Sequence, residues 1–402
     1  MLSGFSGCAA QRAIAPAAAP QTFPHELIAK GAELAHLGNC LGCHTAEGGK
    51  PYAGGTPIQT PFGTVYGTNI TPDADTGIGG WPLEAFTRAM REGVDRSGRH
   101  LYPAFPYDHF TKATDDDIAA LFAFIMTREP VKQENRRNTV PIPRTFLGFW
   151  KSRYLKTGVY RPDAGHDAQW NRGAYLVQGL GHCGACHTPR NNLGAEKHDS
   201  AFAGGEAEGW HAPALNAASP SPVPWTPEAL HTYLRTGIAD LHAATAGPMA
   251  EVVHDLSQAS DADIAAIARY IASLDTRSEA DRARARDAAL ERARSALAMR
   301  GQAVYDGACA DCHNRGRAEQ GGALPLPLGT ALTMPTPRNL IQIIRDGIVP
   351  PDGERGAWMP AFKGMLTDEQ LTDLLSYLRA LTGQPAWTDV AGEVRKISRG
   401  DQ

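Results

Sequence analysis

The chain has 402 residues, 42% of them hydrophobic, and a formal net charge of −4. A chain this long holds about two to four domains with buried cores, and its slight acidity offers nothing in favour of nucleic acid or an anionic membrane surface as partner. No stretch approaches the roughly 20 consecutive apolar residues of a membrane-spanning helix, and the most apolar, Ile118 to Met126, reads as a buried amphipathic helix.

In chain order, residues 1–25 form a lead-in that becomes Pro/Ala-rich from Pro16 to Pro24. A helix then runs from Glu26 to Ala35, ahead of Asn39-Cys40-Leu41-Gly42-Cys43-His44. Thr56 to Thr71 carries Gly, Pro and Thr/Val/Tyr runs and reads as a loop with a short hairpin. A second helix opens at Trp81-Pro82 and closes on Arg91-Glu92-Gly93. A third starts at Thr114-Asp115-Asp116-Asp117, where the hydroxyl suits the cap and the acids suit the helix dipole. The same series returns twice. Short helices with an internal glycine, Asn171 to Val177 and Arg300 to Tyr305, precede Cys183-Gly184-Ala185-Cys186-His187 and Cys309-Ala310-Asp311-Cys312-His313. A glycine there, like Gly31 in the first helix, permits close approach of another helix. Arg-x-Gly recurs at Arg235 and Arg345, and acidic helix starts recur at Ser260 to Asp263 and Thr367 to Glu369. The chain is therefore an internal repeat of three units.

Cys-x-x-Cys-His is the attachment signature of a c-type haem. Cysteines three apart on a helical turn lie on one side, where both thiols reach the vinyl groups of one porphyrin, and the next residue brings an imidazole under the iron. A random chain of this composition would show on the order of 0.004 such motifs, against the three present. Zinc, the bland rival for Cys-x-x-Cys pairs, does not require a histidine after each second cysteine. The expected cofactors are three covalently bound haem c groups. Their covalent anchors are Cys40, Cys43, Cys183, Cys186, Cys309 and Cys312, and their iron ligands are His44, His187 and His313. The fold class expected is all-α, three tandem class I-like cytochrome c domains at 26–135, 166–275 and 298–385. Between them lie a linker at 136–165 and a charged helical linker at 276–297, with a tail at 386–402. The arginines Arg282, Arg284 and Arg286 alternate with alanines near acids and read as the solvated face of that second linker.

A methionine on the second face of an iron raises its potential and blocks exogenous ligands. Pro-flanked loop methionines precede the third helix in two repeats, making Met249 and Met359 the expected sixth ligands. The first repeat places Phe105 there, and phenylalanine cannot ligate iron. Before Arg91 stands Met90, where the other repeats have Leu234 and Ile344, so Met90 is the expected substitute, with His109 or an open iron as alternatives. Met126 reads as packing.

The chain resembles the three-haem cytochrome c subunits of membrane-associated bacterial dehydrogenases. The resemblance is carried by the three attachment motifs, Thr60-Pro61-Phe62-Gly63, Thr68-Asn69-Ile70-Thr71-Pro72-Asp73, Gly77-Ile78-Gly79-Gly80-Trp81, Leu101-Tyr102-Pro103-Ala104, His187-Thr188-Pro189-Arg190 and Gly247-Pro248-Met249, over about residues 26 to 385. It implies electron transfer rather than turnover of an organic substrate by the chain itself. The partner is a catalytic dehydrogenase subunit carrying molybdenum, flavin or pyrroloquinoline quinone, and the acceptor is quinone or a terminal oxidase. Phe105 with Pro106-Tyr107-Asp108-His109-Phe110, and the stretch Pro385 to Val390, look most like the molybdenum-hydroxylase group acting on aldehydes or N-heterocycles. The resemblance also offers Asn69, Trp81 and Arg190 as partners of haem propionates, against a structural-turn reading of the same residues. A haem enzyme with a reactive first iron is the alternative of another class. Haem attachment of this type implies maturation outside the cytoplasm and a periplasmic place, peripheral to the bacterial inner membrane. Met1 to Pro20 has too short an apolar part and no basic start for the export signal this requires, so the true start is expected upstream or trimmed away. Cys8, after Phe5-Ser6-Gly7, loosely resembles a lipidation box with an unfavourable Phe and otherwise reads as incidental.

Overall fold

The computed structural model describes residues 12–17, 22–294, 300–313, 323–350 and 356–400; Cys8 lies outside them. The chain is mostly helical. In the first repeat α1 (His25–Leu37) leads through Gly38 and Asn39 into α2 (Cys40–His44), followed by the hairpin β1 (Pro57–Thr60) and β2 (Gly63–Tyr66), then α3 (Leu83–Glu92), α4 (Tyr107–Phe110) and α5 (Asp115–Met126). The hairpin falls in the stretch expected to hold one and pairs Pro57 with Tyr66 and Thr60 with Gly63. The linker segment contains α6 (Phe146–Tyr154), whose Trp150 is buried against Tyr107.

The second repeat comprises α7 (Ala168–Gln178), α8 (Gly184–His187), the hairpin of β3 (Gly205–Ala207) and β4 (Trp210–Ala212), α9 (Pro227–Thr236), a small pair of β5 (Ile238–Ala239) and β6 (Ala243–Ala244), α10 (Pro248–Ser257) and α11 (Asp261–Ser273). The second linker is α12 (Glu279–Arg294), where Arg284 pairs with Asp281 and Arg286 with Asp287 on an exposed face. The third repeat holds α13 (Gln302–Ala308), α14 (Ala310–His313), α15 (Thr330–Thr333), α16 (Arg338–Asp346), α17 (Asp368–Leu381) and α18 (Val390–Ser398). The segment set apart as a tail at 386–402 reaches into this repeat's core through Trp387 and Val394. Trp387 and Val394 are buried with Leu374, Leu375 and Ile341, and the Trp387 indole donates to the Met334 carbonyl. Tryptophan two residues after a proline carries no helical period, so the sequence hides this packing.

The repeated sequence features have repeated structural causes. Thr114, Ser260 and Thr367 accept from the backbone N–H three residues on, and Thr367 with Gln370 completes a capping box. Glycine 93, 237 and 347 each end a helix with positive φ, at 59°, 76° and 75°. The loop returning toward the third helix passes over each one: a Cβ at Gly93 would strike the Tyr107 ring, one at Gly237 would lie 2.7 Å from Thr245 Oγ1, and one at Gly347 would lie 2.6 Å from the Met359 carbonyl. In the first two repeats the arginine two residues earlier ties the same loop. Arg91 donates to the Thr111 and Ala113 carbonyls at 3.0 and 2.8 Å, and Arg235 to that of Ser257 at 2.7 Å.

By packing, the chain separates into two compact units: Met1–Ala185 with Asn191–Ala195 and Gln258–Asp263, and Cys186–Arg190 with Glu196–Ser257 and Ile264–Gln402. The division falls within the second Cys-x-x-Cys-His motif, because the first repeat holds α7 through buried polar contacts. The Tyr175 hydroxyl donates to Asp117 at 2.5 Å, the Thr114 N–H donates to Tyr175 at 3.1 Å, and Lys30 pairs with Asp117 at 2.6 Å.

Among the described residues, Lys151 on α6 is the most deeply placed lysine of the first unit. It is 8% exposed, and its ammonium donates to the Glu92 and Gly93 carbonyls at 2.6 and 2.5 Å and to His100 Nδ1 at 3.0 Å. Burial lowers its pKa from 10.5 to about 8. Between those values the folded chain binds fewer protons than the unfolded one, so stability rises with pH across that window. Urea titrations at pH 8 and pH 10 should show this rise, and Lys151→Met should flatten it.

Candidate haem sites

Each attachment motif sits on a short helical turn. α2 is capped by Asn39, in left-handed conformation at φ 44°, whose side chain accepts from the Gly42 N–H at 3.2 Å. α8 and α14 place His187 and His313 at their ends in the same way. None of the six cysteines is in a disulfide.

The three histidines share one arrangement. Nδ1 of His44 donates to the Thr68 carbonyl at 2.7 Å, that of His187 to the Pro213 carbonyl at 2.7 Å, and that of His313 to the Leu324 carbonyl at 3.1 Å. Committing Nδ1–H to a carbonyl fixes the tautomer, so the Nε2 lone pair is the one presented to a metal. Burial lowers the pKa of all three, partly opposed by the same backbone bonds, which favours the neutral imidazole that a metal requires. Sequence reasoning missed the three acceptors because backbone carbonyls carry no residue signature.

The donor set fits a porphyrin better than a zinc ion. Among the described residues, none of the three Cys-Cys-His sets gathers its donors within 4.8 Å, as a tetrahedral zinc site requires. Burial also pushes the Cys309 thiol up to about 11 and raises that of Cys186. A close backbone floor completes two of the sites: a Cβ at Gly67 would strike the Cys43 carbonyl, and one at Gly205 would strike that of Cys186.

The distal candidates fall on three kinds of backbone. Met359 lies in an extended bridge, exchanging backbone hydrogen bonds with Ile348 at 2.8 and 3.0 Å, and packs against the third core. Met249 is not in a loop; it is the second residue of α10, because Pro248 suits a helix start. Phe105 stands five residues beyond His100, the bridge partner of Val94, and Met249 stands five residues beyond Ala244, the partner of Ile238, so Phe105 occupies the Met249 register. Met90 on α3 is 6% exposed, and Leu234 and Ile344 at the matching positions are 4% exposed. His109 is 5% exposed, and its Nδ1 donates to the Gln178 carbonyl at 2.9 Å.

The bonds of Asn69 fit the structural-turn reading of that residue. Its amide donates to Thr76 Oγ1 and to the Val131 and Gln133 carbonyls, its oxygen accepts from Thr71, and it is 2% exposed. It is a structural turn residue. Arg190 pairs with Glu196 at 3.6 Å.

The family described as Cytochrome c matches residues 28–129, and that described as Cytochrome C oxidase, cbb3-type, subunit III matches 168–271 and 296–378. The gluconate 2-dehydrogenase cytochrome c subunit of Pantoea cypripedii is 37% identical over 94% of this chain and 90% of its own length. The fructose dehydrogenase cytochrome subunit of Gluconobacter japonicus is 36% identical over 95% of this chain and 84% of its own. The chain belongs to the cytochrome c subunits of bacterial dehydrogenases. A nicotinate dehydrogenase subunit of Pseudomonas putida is 43% identical over 96% of this cytochrome, which spans a third of that protein's length. Cytochrome c domains imply covalently bound haem c, so the fit of the cysteines and histidines and the family agree. No described helix of the cytochrome is long and apolar enough to cross a membrane.

Proposed function

We propose that this cytochrome is a tri-haem electron-transfer subunit, with one haem c in each of three tandem repeats, the third of which takes in Trp387 and Val394. The observation that carries the reading is the triple recurrence of one proximal arrangement: a histidine after Cys-x-x-Cys, with Nδ1 held by a backbone carbonyl. A covalently attached haem supplies a one-electron iron couple. The chain's own residues do the rest. Cys40 and Cys43, Cys183 and Cys186, and Cys309 and Cys312 would anchor the groups. His44, His187 and His313 would hold the iron through Nε2, and Met249, Met359 and Met90 would supply its second protein ligand.

The cytochrome accepts electrons from a catalytic dehydrogenase subunit and passes them to quinone or a terminal oxidase, in the periplasm and peripheral to the inner membrane. The best-supported partner is a molybdenum hydroxylase acting on an aldehyde or N-heterocycle. Nicotinate is an N-heterocycle, and the relative named for it matches nearly the whole chain. A second reading, the cytochrome subunit of a flavin-dependent sugar or quinoprotein alcohol dehydrogenase, is favoured by the fructose and gluconate relatives, which match over most of their own length. Co-purification from the native membrane fraction decides between them. Molybdenum in the catalytic partner supports the first reading; flavin or pyrroloquinoline quinone overturns it.

The first site separates an electron carrier from a reactive haem. Met90→Leu should convert the first haem to a five-coordinate form that binds carbon monoxide when reduced, with the other two unchanged. An unchanged low-spin Met-ligated spectrum rejects Met90 as ligand. Carbon monoxide binding to the first haem of the unaltered protein supports an open, reactive iron instead.

A further inference from the structure

Residues 131–139 follow α5 and lead into the segment read as a linker, yet they run back along the first repeat's hairpin. The Thr139 N–H donates to the Thr64 carbonyl at 2.9 Å, and the Thr64 N–H donates to Thr139 Oγ1 at 2.8 Å. Beyond this pair the Tyr66 N–H donates to Asn138 Oδ1 at 2.9 Å, and the Asn69 N–H donates to Asn135 Oδ1 at 2.7 Å. The Asn135 amide in turn donates to the Thr76 carbonyl at 3.1 Å. Thr68, whose carbonyl accepts the Nδ1–H of His44, therefore lies between two backbone amides that are each held by an asparagine of this segment. The second repeat carries a similar device. Asn339 on α16 exchanges two hydrogen bonds of 2.9 Å with the backbone of His211, two residues before Pro213, the acceptor for His187.

We infer that Asn135 and Asn138 are positioning residues for the proximal histidine of the first haem, holding the Thr68 carbonyl where it takes the His44 proton. The inference rests on the haem reading proposed above. The strength of the Nδ1–H···O bond sets how much electron density the imidazole gives the iron, and hydrogen bonding of this kind is one of the protein's levers on haem potential. When the carbonyl is free to move, the bond weakens, the imidazole donates less, the ferric state loses stabilisation and the potential rises.

The test is Asn138→Ala, alone and combined with Asn135→Ala, in the full-length haem-matured protein, read by redox titration with paramagnetic resonance resolving the individual haems. Covalent haem content should be unchanged and the first haem's potential should rise while the other two stay. In the double variant the reduction equilibrium should change on the order of tenfold, about 59 mV for one electron. The single variant should move in the same direction by less. Asn138→Asp keeps an acceptor for the Tyr66 amide and adds an anion, so its potential should stay at or below the unaltered value. A first-haem potential unmoved in both alanine variants, or a shift shared by all three haems, overturns the inference. Lack of covalent haem at Cys40 and Cys43 in the unaltered protein overturns the underlying haem reading instead.

Discussion

With Met359 as the proposed ligand of a third haem, Met359→Leu should turn that haem from a site closed to small ligands into one that binds carbon monoxide in the reduced state. Its reduction potential should fall on the order of 100 mV, because the thioether that favours ferrous iron is gone. The argument depends on where the residue stands. Met359 is held at both its N–H and its carbonyl by Ile348, so its backbone cannot drift when the side chain changes. Gly347, at φ 75°, gives that strand room. Leucine has similar volume and packs against the same core of Ile341, Leu374 and Leu378, so the cost in stability should stay below about 1.5 kcal/mol. A change in spectrum and potential without a change in unfolding midpoint isolates ligation from packing. Met249→Leu should do the same at the second haem. A reduced protein that still excludes carbon monoxide in both variants rejects the two methionines as ligands.

Gly31→Ala should destabilise the first repeat by about 3 kcal/mol, since overfilling a tight crossing forces backbone apart. A Cβ at position 31 would strike the Ala120 carbonyl and lie 2.7 Å from the Phe124 Cβ, so α1 must move off α5. Backbone is what it meets, and a rotamer change cannot relieve the clash. Gly301→Ala meets the Asp373 carbonyl and lies 2.7 Å from the Tyr377 Cβ on α17, so the third repeat should suffer alike. Gly364→Ala is the control for substitution at a glycine, with nothing within 4 Å of its added Cβ and a cost limited to its φ of 79°. Thermal unfolding followed by haem absorbance measures all three. Equal stability of Gly31→Ala and the unaltered protein sinks the close-crossing account.

Much of this was legible from residues alone where the signal is local. Capping hydroxyls, acidic first turns, Arg-x-Gly ends and the Cys-x-x-Cys-His spacing each act over a few residues, so the helices that recur in every repeat follow from them, whereas α6, α10 and α18 do not. Gly31 and Gly301 admit a helix as their place in the repeat predicts, although Gly301 stands just before α13 rather than within it.

What the sequence by itself determined is the pattern on which the proposed covalent and proximal chemistry rests: six cysteines and three histidines in the Cys-x-x-Cys-His spacing. What only the tertiary structure decided lies in groups brought together across long separations. The carbonyls of Thr68, Pro213 and Leu324 orient the histidines, yet any residue supplies a carbonyl. Asn69 proved to be a buried turn residue because Val131 and Gln133, far along the chain, take its amide. Trp387 and Val394 joined the third core, and Asn135 and Asn138 turned a supposed linker back onto the first hairpin. A linear pattern records which donors and acceptors exist. Their pairing is set by the packing of helices whose contacts have no fixed spacing, and only the folded chain reveals it.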